Sequence, residues 1–205
     1  MPDCCKIEIK NNKIISILWI VLWINLSVFF VQFIAAIIAH SSSLLADSID
    51  MMGDALAYAV SIYVFNKGNK WGAAASLCKG IIIFILASII LFHAAQQIYI
   101  SALVPASNLM LIFSLVGLSA NCVCLWLLNS YQDNNLNMKS VWICSRNDII
   151  VNVSVIFTAG LVFYFQSKWP DIIVGLILTI ILYKSAIHVI RLSIFALKSD
   201  PDVNI

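Results

Sequence analysis

The sequence predicts an all-α, polytopic membrane protein of six transmembrane helices with both termini in the cytoplasm. Three observations carry this prediction. Hydrophobic residues make up 62% of the 205 and charged residues 11%, against roughly 45–50% and about 25% in a soluble chain, so polar side chains are too few to cover a core in water. The mean hydropathy of +0.98 points the same way. Apolar runs of the ~20 residues needed to cross a bilayer recur six times between short polar breaks. A net charge of +2 without a basic run gives nucleic acid nothing to bind, and no polar stretch is long enough to build a soluble domain.

The spans are expected at 14–39, 43–66, 73–97, 106–130, 141–165 and 170–192. The first is longer than the roughly 7–15 apolar residues of a signal-peptide core, so it should remain as a span. A short tail, 1–13, precedes the 14–197 transport unit, and another, 198–205, follows it. Turn chemistry marks the breaks: His40-Ser41-Ser42-Ser43, Asn66-Lys67-Gly68-Asn69-Lys70, Pro105-Ala106-Ser107-Asn108, Asp133-Asn134-Asn135 and Trp169-Pro170. Pro170 suits the first turn of the sixth helix, and Asp171 is expected to complement that helix's dipole.

Lysine placement sets the orientation. Lys6, Lys10, Lys13, Lys67, Lys70, Lys139, Lys184, Arg191 and Lys198 all fall on one side of this topology, and only Lys168 falls on the other. By the positive-inside rule that side is cytoplasmic. The six cysteines contain no C-x-x-C, so no zinc ribbon or thioredoxin motif is expected. Most read as packing residues, with Cys4-Cys5 a thiol pair in the tail.

The second span carries charge where none is cheap. Asp47, Asp50 and Asp54 fall at i, i+3 and i+7, on one helical face. At 1.5 Å per residue from Ser43, Asp50 lies about 10 Å deep and Asp54 about 16 Å deep. Each Asp near a span's centre costs roughly 2.5–3.5 kcal/mol to insert, so such residues are functional by default. In the fifth span Asp148 and Asn152 share a face four residues apart. The two helices run in opposite directions, so Asp54 and Asn152 reach similar depth. Asp50, Asp54, Asp148 and Asn152 can then offer oxygen ligands to one point, the chemistry of a divalent-cation site. Asn25 and Gln32, seven apart in the first span, can hydrogen-bond the acids, line a water path or serve helix packing. Arg146 can pair with Asp148 or snorkel to the surface. His93 and His188 read as interfacial anchors, and His40 as an anchor or a vestibule ligand.

The stretch Ser41 to Asp54, Ser-x-x-Leu-Leu-Ala-Asp-x-x-Asp-x-x-x-Asp, resembles the second-span signature of the cation diffusion facilitator transporters. Ser145-Arg146-Asn147-Asp148-x-x-x-Asn152 resembles their fifth span, particularly in short bacterial members labelled cobalt-zinc-cadmium efflux proteins, and Pro170-Asp171 fits their sixth. The resemblance implies that Asp50, Asp54, Asp148 and Asn152 hold the metal, with Asp47 an extra acid and Gln32 standing where many members carry glutamate. It also implies a homodimer in the bacterial cytoplasmic membrane. The site lacks the histidine usual in zinc members, and the C-terminal cytoplasmic domain is expected to be missing.

The function expected is a secondary transporter, not an enzyme, exporting zinc, cobalt or cadmium in exchange for protons by alternating access. No resident cofactor is expected; metal and protons are the cargo. All-oxygen ligands leave a manganese or iron exporter open, and a divalent-cation channel is the other alternative. An intramembrane aspartyl protease fits less well, because Met51-Met52-Gly53-Asp54 lacks the first glycine of a Gly-x-Gly-Asp pattern.

Overall fold

A computed structural model describes residues 12–64, 69–99, 103–129 and 136–199. They form six helices: α1 (Asn12–Ala39), α2 (Ser42–Val64), α3 (Asn69–Tyr99), α4 (Ser107–Asn129), α5 (Leu136–Phe165) and α6 (Trp169–Ser199). Five are long and apolar enough to cross a membrane; α2 is the exception, because its three aspartates lower its hydropathy. Cys4, Cys5, Lys6, Lys10, Lys67 and the turn at 133–135 lie outside the described residues, as do the side chains of Lys13, Lys70, Lys139, Cys144 and Arg146. Helices α3, α5 and α6 run past the expected spans, α6 as far as Ser199. Apolar length fixes where a helix enters the bilayer, and its hydrogen bonds continue until a cap or breaker stops them.

The helix that falls short of a spanning segment is the central one: α2 packs against all five others. An apolar cluster of Ala35, Leu44, Ile49, Ile90, Val155 and Leu178 among others surrounds its first half. A second cluster, with Leu18, Leu22, Tyr58, Cys124 and Leu128, seals α1, α2 and α4 further along. Large apolar side chains such as Trp23, Phe92, Phe157 and Phe195 face outward, as the absence of water around a bilayer-embedded surface permits.

The turn between α1 and α2 is closed by backbone. The N–H of His40 donates to Ile37 O (3.2 Å) and that of Ser41 to Ala36 O (3.0 Å), with His40 left-handed at φ 53°. This is the Schellman geometry that ends a helix. Ser41 then caps α2: its Oγ accepts from Leu44 N (3.1 Å) and its carbonyl from Leu45 N (3.2 Å). The two amides left over, Ser42 N and Ser43 N, donate to the Asp171 carboxylate at 2.7 and 3.1 Å. Asp171 lies in the first turn of α6, as expected, and the same carboxylate also caps α2. Gly175, one turn on, permits this approach, since a Cβ there would lie 2.8 Å from both the carbonyl carbon and Cβ of Ser42.

Around that cap a polar knot ties α2, α3 and α6 together. Ser41 Oγ (2.7 Å), Ser43 Oγ (2.6 Å) and Gln97 Nε2 (3.2 Å) donate to Asp171 as well. Gln97 also donates to His40 O, and Ser42 Oγ lies within hydrogen-bonding distance of His93 Nδ1 (3.0 Å). His93 is therefore a member of this knot rather than only an interfacial anchor. Lys168 donates to Gln97 O and Ile98 O at the end of α3, which explains the lone lysine on that side: a cation satisfies the last carbonyls of a helix. We call this the knot end. Helix α1 begins and α6 finishes at the opposite end.

Candidate functional site

Helix α2 brings its three acids to the middle of the bundle in two layers. Nearer the knot, Asp47 is 1% exposed and accepts from Gln32 Nε2 at 2.9 Å. The same amide donates to Phe113 O on α4 at 3.0 Å. Asn152, fully buried on α5, belongs to this layer: it and Gln32 meet at Gly117, where a Cβ would lie 2.5 Å from Asn152 Oδ1 and 2.3 Å from Gln32 Nε2. Gly117 is thus the gap in α4 through which α1 and α5 bring their amides together.

Further from the knot, two turns along α2 from Asp47 and one along α5 from Asn152, the Asp54 and Asp148 carboxyl groups lie within hydrogen-bonding reach of each other. Two carboxyl groups can share such a bond only when one carries a proton. Asp50 interacts electrostatically with Asp54 and Asp47. Of the four expected ligands, Asp54, Asp148 and Asp50 gather in this second layer, and the Asn152 amide donates back to its own helix, to Asp148 O at 3.0 Å. Among the described residues no three His, Cys, Asp or Glu side chains lie close enough to hold an ion.

What remains is an excess of unspent acceptors. Gln32 Oε1, Asp47 Oδ1, Asp148 Oδ2 and Asn152 Oδ1 are buried without a hydrogen-bond partner. Unpaired buried oxygen is costly unless water or a cation satisfies it, and four oxygens on three helices suit a hard or borderline cation. Asn25 takes another role: it donates to Val21 O (2.8 Å) and Cys124 Sγ (3.5 Å). Its amide therefore serves the second apolar cluster rather than the acids. Cys124 is buried there, while Cys78 and Cys122 are exposed rather than packed inside.

Two residues outside the pattern of acids complete the surroundings. Tyr58, one turn beyond Asp54, interacts electrostatically with Asp54 and Asp148 and floors the site. Lys79 on α3 is only 9% exposed and interacts electrostatically with Asp50 and Asp54. Register reveals it: Lys79 stands ten residues after Asn69, the start of α3, and Asp54 ten before Val64, the end of α2. Reading lysines as topology markers alone passes over it.

Exposure gives the site a direction. Every residue from Ser41 to Ile49 is buried, whereas Asp50, Asp54 and Asp148 are half-buried, as are Ala57, Ala59 and Val60 beyond them. The half of α2 toward the knot is thus the more fully covered of the two.

Residues 18–197 match the family model of the cation efflux transmembrane domain. The chain is 23% identical over 96% of its length to a cadmium, cobalt and zinc/H(+)-K(+) antiporter of Bacillus velezensis, covering 66% of that protein. It is 24% identical over 97% of its length to the protein of the same name in Bacillus subtilis, covering 67%, and 24% identical over 85% to zinc transporter ZitB of Pectobacterium atrosepticum, covering 62%. The chain therefore spans about two thirds of the length of these relatives. With five helices long and apolar enough to span and these bacterial relatives, it is an integral membrane protein of the bacterial inner membrane. It belongs to the cation efflux family, and the match runs through that family's transmembrane domain.

Proposed function

We propose that this protein exports divalent metal, of the zinc, cobalt or cadmium type, across the cytoplasmic membrane in exchange for protons. The observation that carries the reading is the Asp54–Asp148 pair: two carboxyl groups on different helices, deep in the bundle and half-buried, with the knot side of α2 the more fully covered. A metal entering this layer takes the oxygens that hold the shared proton, so cargo and proton exclude one another. With the lysine-rich side cytoplasmic, the less covered end faces the cytoplasm, and the knot end is the outer gate. Alternating access then requires the α2–α5 contact to open on the knot side after the opposite side has closed. Names of relatives that include proton antiport support the exchange.

The transport unit is 14–197, both termini are cytoplasmic, and the assembly is a homodimer, the last resting on the resemblance alone. The protein is a transporter and not an enzyme. The oxygen-only ligand set keeps manganese and iron in view as cargo. Uptake of zinc, cobalt, cadmium, manganese and iron into inverted vesicles, measured metal by metal, tests the reading. Zinc uptake that saturates is expected. Flux that grows linearly with metal concentration would indicate a channel, and no flux of any of the five would end the proposal.

A further inference from the structure

The metal-transport reading gives Lys79 no task, yet Lys79 is buried beside two of the three carboxylates it invokes. It sits about 15 Å into α3, ten residues from Asn69 at 1.5 Å each. A lysine at that depth ordinarily snorkels along the helix surface to water. This one is 9% exposed. Its neighbour Gly80 explains the orientation. A Cβ at Gly80 would lie 2.8 Å from Ile190 Cγ1, 3.3 Å from Ile190 N and 3.4 Å from Ala186 O, so α3 presses directly on α6 there. With that face of α3 fixed against α6, the adjoining residue is turned inward, and its charge interacts with Asp50 and Asp54. Asp47, held by Gln32, lies a turn away.

Resting on the transport reading above, we propose that Lys79 is a tethered counter-cation: it neutralises Asp50 and Asp54 when no metal is bound and opposes the metal once it arrives. A protonated amine beside two carboxylates is a positive charge on a tether. It lowers the cost of holding adjacent carboxylates in the bilayer interior. It also repels a divalent ion that takes the same oxygens, so the ion is held loosely enough to leave. The charges of Asp50, Asp54 and Asp148, one divalent ion and one ammonium sum to zero within this layer, with Asp47 held apart by its hydrogen bond from Gln32. That is the state easiest to carry through a change of access. Lys79 is in this sense a positioning residue for charge; it does not ligate the metal.

The test separates affinity from turnover. Wild type, K79M and K79R are reconstituted, and equilibrium zinc binding, zinc flux and thermal unfolding are measured on each. Loss of the charge is expected to tighten zinc binding by about tenfold or more while lowering maximal flux, and K79R is expected to behave as wild type. If Lys79 only braces α2 against α3, K79M will unfold at lower temperature with unchanged zinc affinity, and the inference is overturned. Should K79M fail to insert, K79Q against K79R carries the same comparison. Wild type that neither binds nor moves zinc overturns the transport reading and this inference together. Wild type that does both, with a K79M indistinguishable from it, overturns this inference alone.

Discussion

Asp171 and Asp54 are both buried aspartates, and their surroundings give them opposite tasks. The Asp171 carboxylate accepts from Ser41 Oγ, Ser42 N, Ser43 N, Ser43 Oγ and Gln97 Nε2, leaving little acceptor capacity for a ligand. The carboxylates in the bundle centre keep theirs, with Asp47 Oδ1 and Asp148 Oδ2 unpartnered. Asp171→Asn would turn an amide N–H₂ toward donors it cannot satisfy. It is expected to cost about 1–3 kcal/mol, seen as a lower unfolding temperature in detergent, with zinc binding per folded molecule unchanged; loss of binding without loss of stability would reassign Asp171 to the metal site. Among single residues the acids were legible in the sequence because charge in an apolar span is conspicuous. Their partners were not. A hydrogen bond from Gln32 to an acid was among the roles its spacing left open; that the acid is Asp47, that Asn25 would take Cys124, and that Asp171 would cap a helix some 130 residues away in sequence are tertiary facts that no local spacing encodes.

Helix α2 shows what patterns do and do not reveal about elements. Its aspartates keep it below the hydropathy of a spanning segment, yet their i, i+3, i+7 spacing identifies a helix with one polar face. The lengths of α3 and α6 were not legible, because helices outlast their apolar stretches. Packing between elements turns on glycines that no hydropathy profile ranks. Gly175→Ala would drive a methyl into the Ser42 backbone, 2.8 Å away, and is expected to destabilise the protein by about 1–3 kcal/mol. Gly160→Ala is the control: nothing lies within 4 Å of a Cβ there, and a helix interior prefers alanine by about 1 kcal/mol. Thermal unfolding of both variants checks the pair. Equal melting temperatures would show that α6 does not rest on α2 as described.

Across the bundle, six helices and their alternation follow from counting apolar runs. The state of the gates does not, since it depends on which half of α2 the other helices cover. The buried stretch Ser41–Ile49 against the half-buried residues beyond it predicts one-sided access. In a chain whose native cysteines have been replaced, Ala57→Cys is expected to react with a membrane-impermeant maleimide in inside-out vesicles, and Ser48→Cys is not. Reaction of Ala57→Cys only in right-side-out cells would place the open end outside and reverse the orientation.

Exchange of metal for proton requires that Asp54 and Asp148 hold one or the other and never both. Zinc uptake into inverted vesicles loaded with a pH dye reads the two cargoes at once. Wild type is expected to take up zinc while the lumen loses protons, and Asp54→Ala and Asp148→Ala, at equal membrane levels, should each abolish both signals. Zinc uptake at the wild-type rate in both variants would contradict the assignment of the two carboxylates.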